Sequence, residues 1–311
     1  MRTNSIIVTW NQTELTMRCL DSLVAAGVAP ETIWVVDNGS QPSAIPALGE
    51  RFPAINLVRS ERNLGFAGGC NLGAASAAQG AAAAEQLFFL NNDALVEPDT
   101  LERLLAALAA DPGLAAVSPK VYYGDSDRVI HSTGMTVEVN SGMVRMLHAN
   151  QPDRGQADRP ADREALFGCA MLIRRAVWDS VGPFWAPFFA YSEEVDWCLR
   201  ARRAGWRLGY VPAAVVWHYA STSLGHNSPL KLYLLNRNQL YLRQRHRGRG
   251  WPAWRGGLRV LAMQARTAGH FARQRRWRQA WAIVLAVWDF VCRRTGQFRR
   301  GDLRRIDKGT P

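Results

Sequence analysis

Short apolar runs that end on Asn or Asp, with helix-like stretches between them, constrain this chain more than any other feature. Residues 5–9 (SIIVT) run into Trp10-Asn11, and residues 32–36 (TIWVV) into Asp37-Asn38-Gly39-Ser40. A weaker run at 55–59 precedes Asn63-Leu64-Gly65-Phe66, and residues 86–90 (QLFFL) lead straight into Asn91-Asn92-Asp93. Residues 115–119 form a fifth run. Between them, 13–26 carries Leu15, Cys19, Leu20 and Leu23 near helical spacing, 72–86 is alanine-rich, and 100–110 is opened by Pro98-Asp99. Strand alternating with helix predicts an α/β fold, a mostly parallel sheet flanked by helices on both faces. In such sheets ligands bind beyond the carboxyl ends of the strands, so Asp37, Asn63 and Asp93 are the first residues to weigh. Each alone is equally a turn former. Three at one edge point to a shared nucleotide-type site.

The remainder reads differently. Residues 121–147 look like irregular strands, and 151–163 (QPDRGQADRPADR) is polar, read as a mobile loop because 166–173 resumes a buried pattern. A helix at 197–204, stopped by Gly205, follows Glu193-Glu194-Val195-Asp196. The charge is uneven: residues 1–223 hold 18 Lys and Arg against 23 Asp and Glu, whereas 224–311 hold 20 against 3. We therefore divide the chain into a domain at 1–223, with halves at about 1–120 and 121–223, and a basic helical C-terminal extension at 224–311. With 48% hydrophobic and 21% charged residues, the composition excludes a disordered or fibrous protein. Five cysteines without a CxxC pair argue against a disulfide framework or a thiolate zinc site, and fit a reducing compartment. The N-terminal apolar run turns polar at Asn11, too soon for a signal peptide.

A dinucleotide site needs Gly-x-Gly-x-x-Gly directly after the first strand. Here that place is Trp10-Asn11-Gln12-Thr13, and no P-loop is present. A different resemblance fits. The runs IIVTWNQTELTMRCLDSL, VVDNGS, RNLGFAGGCNLG and LFFLNND resemble the nucleotide-sugar half of family 2 glycosyltransferases, which have the GT-A fold. The runs FGCAMLIRR, PFFAYSEEVDWCLRARRAGWRLGYVP and VWHYASTS resemble the acceptor half, in the family's order over about residues 4–240. The most similar branch transfers rhamnose or galactofuranose.

The resemblance implies donor contacts from Thr9, Asn11, Asp37, Asn63, Gly65, Gly69, Asn71, Asn92 and Asp93. Asp37 would accept from N3–H of a uracil or thymine ring, and the glycines after Asn63 would admit the ribose and diphosphate. Asp93 matches the last acid of the family's Asp-x-Asp metal motif, with Asn91 and Asn92 in place of the earlier acids. His218 aligns with a metal-ligating histidine, so Asp93 and His218 would hold a divalent metal, Mg²⁺ or Mn²⁺. Read from the residues alone, His218 is equally a buried histidine bonded to backbone. The acid cluster is equally a set of helix N-terminal charges; the resemblance makes Glu194 or Glu193 the general base. Asp196 and Arg200, four apart, read as a supporting pair. Gly168, Cys169, Trp185 and Tyr191 would line the acceptor side, Cys169 structurally rather than as a nucleophile.

These expectations describe an inverting transferase moving a sugar from a nucleotide-sugar donor, dTDP-rhamnose first and a UDP-sugar second, to a glycan or polyprenyl-linked acceptor. The alternative class is a non-catalytic sugar-nucleotide or glycan-binding module. The basic tail needs an anionic partner. Residues 277–292 contain an apolar stretch of nine residues (280–288), well short of the roughly 20 a span requires. Trp-rich and Arg-flanked, they suit a helix lying in an anionic membrane surface, peripheral at the inner face of the cell membrane, or else a self-packed helical hairpin. No nucleic-acid-binding signature accompanies the charge.

Overall fold

The computed structural model describes residues 2–80, 84–219 and 228–297. The strands are β1 (Thr3–Thr9), β2 (Ile33–Asn38), β3 (Asn56–Ser60), β4 (Gln86–Asn91), β5 (Ala94–Val96), β6 (Leu114–Tyr123) and β7 (Val129–Ser132). They continue with β8 (Met135–Glu138), β9 (Met143–Met146), β10 (Gln151–Pro152), β11 (Ala161–Asp162), β12 (Ala170–Arg174) and β13 (Arg207–His218). The helices are α1 (Thr13–Ala25), α2 (Ile45–Arg51), α3 (Gly65–Gln79), α4 (Thr100–Ala110), α5 (Arg175–Val181) and α6 (Glu193–Arg203). Three more follow: α7 (Pro229–His246), α8 (Trp251–Arg273) and α9 (Trp277–Val291).

The chain forms two compact units. The first comprises residues 1–136, 145–186 and 194–220, the second 137–144, 187–193 and 221–311. The cut near 220 lies beside the expected boundary, and two short middle segments join the C-terminal unit.

In the first unit the strand order is β10-β7-β6-β12-β4-β1-β2-β3. β4, β1, β2 and β3 are parallel, and β12 lies antiparallel between β4 and β6. All seven residues of β1 are buried, as a parallel strand covered on both faces requires. The core gathers Ile7, Leu20, Ile33, Val35, Phe88, Leu90, Leu104 and Leu172 between sheet and helices.

Three expectations change. The helix expected at 72–86 starts at Gly65, so the glycines lie within it. A Cβ on Gly69 would sit 2.6 Å from Val8 Cγ1, and one on Gly73 2.6 Å from Ile6 Cγ2. These glycines let α3 approach β1; they serve packing. The helix expected at 197–204 starts at Glu193, which puts the acid cluster in its first turn, where carboxylates suit the helix dipole. Finally, 151–163 is pinned. Buried Lys120 bonds Asp153 at 2.7 Å and Asp158 at 2.5 Å, Tyr122 donates to Asp153, and β10 and β11 pair with β7 and β13.

In the second unit Tyr233 and Leu234 of α7 pack on Ala282, Leu285 and Ala286 of α9, and Tyr233 donates to buried Asp289 at 2.7 Å. Phe271 of α8 packs against Ala280 and Ile283 of α9. Helix α8 has no counterpart in the sequence reading.

Burial raises the Asp153 pKa, but bonds from Lys120, Tyr122 and the Gly155 amide outweigh it and hold it at about 2. A carboxyl depressed by folding contributes stability above its unfolded value, which is lost as pH falls toward the folded one. Melting temperature should therefore drop between about pH 4 and pH 2, and the Asp153→Asn variant should show a shallower drop there.

Candidate active site

The carboxyl end of β4 leads into Asn91-Asn92-Asp93, and the sheet carries a distant residue to it. β13 pairs antiparallel with β5, His218 opposite Ala94, and the Tyr219 amide donates to the Asp93 carbonyl at 2.8 Å. The His218 Nε2 atom then lies 3.1 Å from Asp93 Oδ1 and 3.2 Å from Asn91 Nδ2. Burial raises the Asp93 pKa; the hydrogen bond and charge of His218 overcome this and hold the carboxyl below its ordinary value.

His131, unmarked in the sequence because it sits in the irregular middle, completes this cluster. Its Nδ1 is 3.1 Å from His218 Nδ1, and the two rings stack at 5.0 Å. The two Nδ1 atoms share one proton, so one donates and the other accepts. If His218 Nε2 is to ligate a cation, its proton must sit on Nδ1, where His131 accepts it.

The residues fit a divalent cation. The buried Oδ1 of Asn91 has no hydrogen-bond partner among the described residues, and it stands beside a carboxylate and an imidazole nitrogen. Oxygen and imidazole donors suit Mg²⁺ or Mn²⁺. No cluster of three or more His, Cys, Asp or Glu able to hold a metal occurs among the described residues. Two strong ligands make a weak site until a ligand's own oxygens complete it.

Asp37 and Asn63 are tied into the same sheet edge. Asp37 is fully buried: Oδ1 accepts from the Ser40 amide, and Oδ2 accepts from Ser43, the Ala44 amide and Arg59 at 2.5 Å. Burial raises its pKa, and the Ser40, Ser43 and Ala44 bonds outweigh that to lower it. Asn11 joins this turn, its amide donating to Ser40 Oγ and its Oδ1 accepting from Gln41. Asn63 Oδ1 accepts from Asn38 Nδ2 and the Gly65 amide, fixing the start of α3, where Gly65 has φ +78°.

Other residues expected at the donor make contacts within the fold. Gly69 faces Val8, and both polar atoms of Asn71 bond the Phe184 backbone at 2.8 and 3.0 Å. Buried Thr9 accepts from Thr16, whose hydroxyl also accepts from the Asn92 amide, so Thr9 and Asn92 tie strand ends to α1.

Residues 168 and 169 meet the end of β4 directly. The Asn91 amide donates to the Cys169 carbonyl at 2.9 Å, and a Cβ on the adjoining Gly168 would sit 3.1 Å from Glu194 Cβ and Cγ. Glu194 is half-buried, Glu193 only 4% exposed. Buried Asp196 bonds Arg200 at 2.9 Å, and Arg200 in turn donates to the carbonyls of Val181, Gly182 and Pro183. Burial pushes the Cys169 thiol well above its ordinary value, which leaves it inert. Trp178, Phe184, Phe188 and Trp197 are core, while Trp185 and Tyr191 remain half-buried.

The model of the glycosyltransferase-like family 2 matches residues 2–248. The chain belongs to that family. It is 28% identical over 270 residues to the N-acetylglucosaminyl-diphospho-decaprenol L-rhamnosyltransferase of Mycobacterium tuberculosis, covering 82% of this chain and 87% of the relative. It is 28% identical to the galactofuranosyltransferase GlfT1 of Mycolicibacterium smegmatis, over 70% of this chain and 71% of the relative. Among solved structures, the mannosyltransferase PcManGT of Pyrobaculum calidifontis superposes with TM-score 0.56 at 17% identity, covering 93% of this chain and 87% of that one. GalNAc-T7 superposes with TM-score 0.58 at 17% identity over 76% of this chain, which spans only 47% of that structure. These likenesses establish the GT-A fold.

In this glycosyltransferase the Gly168–Glu194 contact is tight enough to test. Gly168→Val should displace the Glu194 carboxylate and lower kcat at least tenfold, while nucleotide affinity by calorimetry stays within threefold.

Proposed function

We propose that this family 2 member is an inverting glycosyltransferase that moves a sugar from a pyrimidine nucleotide donor, dTDP-rhamnose, to a hydroxyl of a lipid-linked glycan. The observation that carries the reading is the Asn91–Cys169 backbone bond, which sets the Asp93–His218 pair and Glu194 on neighbouring segments of one sheet edge. The relative that transfers L-rhamnose to a decaprenol-linked substrate supports the donor and acceptor classes.

Asp37 Oδ1 accepts from the Ser40 amide, and in a donor complex this carboxylate would take the N3–H of thymine or uracil. Cytosine presents an acceptor there and is disfavoured. Asn11, Asn63 and Gly65 shape the turn around the ribose and diphosphate. Asp93 and His218 would hold a divalent cation, which supplies positive charge against the departing diphosphate. The PcManGT and GalNAc-T7 structures each contain Mn²⁺.

Glu194 takes the proton from the acceptor hydroxyl as that oxygen attacks the anomeric carbon. The nucleoside diphosphate leaves from the opposite face, and one displacement inverts the centre. Asp196 and Arg200 hold α6 against the 181–183 backbone and so fix the base's own helix. No covalent intermediate is needed, in keeping with the inert Cys169. A UDP-sugar donor is the second reading, favoured by the galactofuranosyltransferase relative.

A panel of sugar nucleotides with Mn²⁺, followed by nucleoside diphosphate release, tests the donor: dTDP-rhamnose should turn over fastest. Glu194→Gln should lower kcat at least a thousandfold and leave nucleotide affinity within threefold; wild-type turnover in that variant removes Glu194 from the role.

The C-terminal unit supplies the reading's location, a peripheral site on an anionic membrane surface at the inner face of the cell membrane. No helix among the described residues is long and apolar enough to cross a membrane. Instead α8 exposes Trp251, Trp254, Leu258 and Leu261, and α9 exposes Trp277, Trp281, Val284, Trp288 and Val291, with Trp251 69% and Trp288 57% exposed. Both sets step by three and four residues, so each is one stripe. On α8 the arginines Arg255, Arg259, Arg266 and Arg273 fall roughly a quarter-turn around the helix from the apolar stripe. Residues 251–297 hold nine Arg and one acid, Asp289, which is buried. Apolar stripes beside basic ones suit a headgroup interface, at roughly 1 kcal/mol per basic residue.

Vesicles containing phosphatidylglycerol should sediment the protein, and pure phosphatidylcholine vesicles should not, in ~0.15 M salt. The Trp251→Ser/Trp254→Ser/Trp281→Ser/Trp288→Ser variant should weaken this at least tenfold without changing turnover of a water-soluble acceptor. Tighter binding to duplex DNA than to the anionic vesicles would overturn the membrane reading.

A further inference from the structure

The segment that delivers the acid pair is wound in a conformation its residues resist. Phe189, Tyr191 and Ser192 have φ of 69°, 70° and 75°, the left-handed region that side chains disfavour. Ser192 is followed directly by Glu193-Glu194 at the start of α6. Three such residues in four do not persist unless their surroundings over-determine them.

The surroundings are two polar side chains on α7. Asn238 is fully buried, and its Nδ2 lies 3.0, 2.8 and 2.8 Å from the carbonyls of Phe188, Ala190 and Tyr191. Arg237, 1% exposed, donates from Nη2 to the Phe188 carbonyl at 3.0 Å and from Nη1 to the Gly296 carbonyl at 2.8 Å. Its Nε and Nη2 also donate to Asn238 Oδ1, at 3.1 and 3.0 Å, which aims the amide nitrogen at the three carbonyls. The Gly296 amide returns a bond to the Pro187 carbonyl at 2.7 Å, closing the cradle. Burying a guanidinium and an amide is costly unless every donor is used. Here the partners include three main-chain carbonyls of one strained turn, those of Phe188, Ala190 and Tyr191.

We infer that Arg237 and Asn238 are positioning residues for the general base: they hold 188–192 in its left-handed path and thereby set the direction in which α6 begins and Glu194 is presented. The inference rests on Glu194 being the base. It assigns α7 a part in the chemistry that its basic, helical sequence does not declare, since neither residue touches substrate. An error of about 1 Å in presenting a reacting group costs on the order of a hundredfold in rate.

The test separates positioning from mere structure by relieving the strain. Asn238→Ala should lower kcat by about a hundredfold, with donor affinity within threefold because Asp37 and Asp93 are untouched. Glycine enters the left-handed region freely. Ser192→Gly should therefore be neutral alone yet restore kcat of Asn238→Ala by at least fivefold. Should Asn238→Ala fail to fold, Asn238→Ser, which keeps a single donor, should show the same kcat loss and the same rescue. Loss of donor affinity in step with kcat, or no rescue by Ser192→Gly in a folded protein, overturns the inference. Glu194→Gln is assayed in parallel. If it retains transfer, the base assignment fails; if it is inactive while Asn238→Ala is fully active, the clamp alone fails.

Discussion

The backbone bond from the Asn91 amide to the Cys169 carbonyl, at the end of the β4–β12 ladder, joins the two halves of the proposed site. On one side of it the end of β4 carries Asp93, drawn against His218 through the β5–β13 ladder. On the other, Gly168 leaves room for Glu194 to lie against the backbone without a side chain between. The antiparallel strand β12 makes the bond possible. It inserts between β4 and β6 and runs against its neighbours, so its N-terminal end meets the C-terminal end of β4. Had β12 run parallel, residues 168–169 would lie at the far edge of the sheet, away from Asp93.

The site is built mainly from neutral polar groups. Asn91 and Asn92 are neutral, and the charge is concentrated in Asp93 with a histidine pair behind it. Such a set limits repulsion in the ligand-free protein, since the carboxylate is already balanced by the His218 hydrogen bond. In the proposed reading, a divalent cation would bind mainly once a nucleotide's phosphate oxygens joined Asp93 and His218. Asp37 is held in a comparable way, spent largely on shaping the 40–44 turn, so that in the proposed reading base recognition and folding would draw on one carboxylate.

Much of this was legible in residue patterns. The apolar runs marked β1 through β4 and β6 because buried parallel strands need continuous hydrophobic faces, and the Asn and Asp residues at their ends marked the edge where the proposed site lies. Asp93 and His218 were legible as a pair only through family resemblance; 125 residues separate them, and nothing local predicts the ladder that closes the gap. The glycines of α3 carry an ambiguous signal, because close helix–sheet packing, seen at Gly69 and Gly73, and close phosphate approach ask for the same residue. Asn71 is ambiguous likewise: an amide suits a ligand or a backbone equally, and in the fold it bonds the backbone of Phe184.

The order of amino acids by itself determined the α/β class, the polar strand ends, the acid cluster and the basic C-terminal tail, since each follows from local periodicity, turn chemistry or charge. Tertiary structure alone decided which of those groups meet. It pinned 151–163 through Lys120, brought His131 behind His218, and bent 188–192 around Asn238. These outcomes depend on contacts between residues far apart in the chain, whose free energy exists only once the sheet and helices have packed.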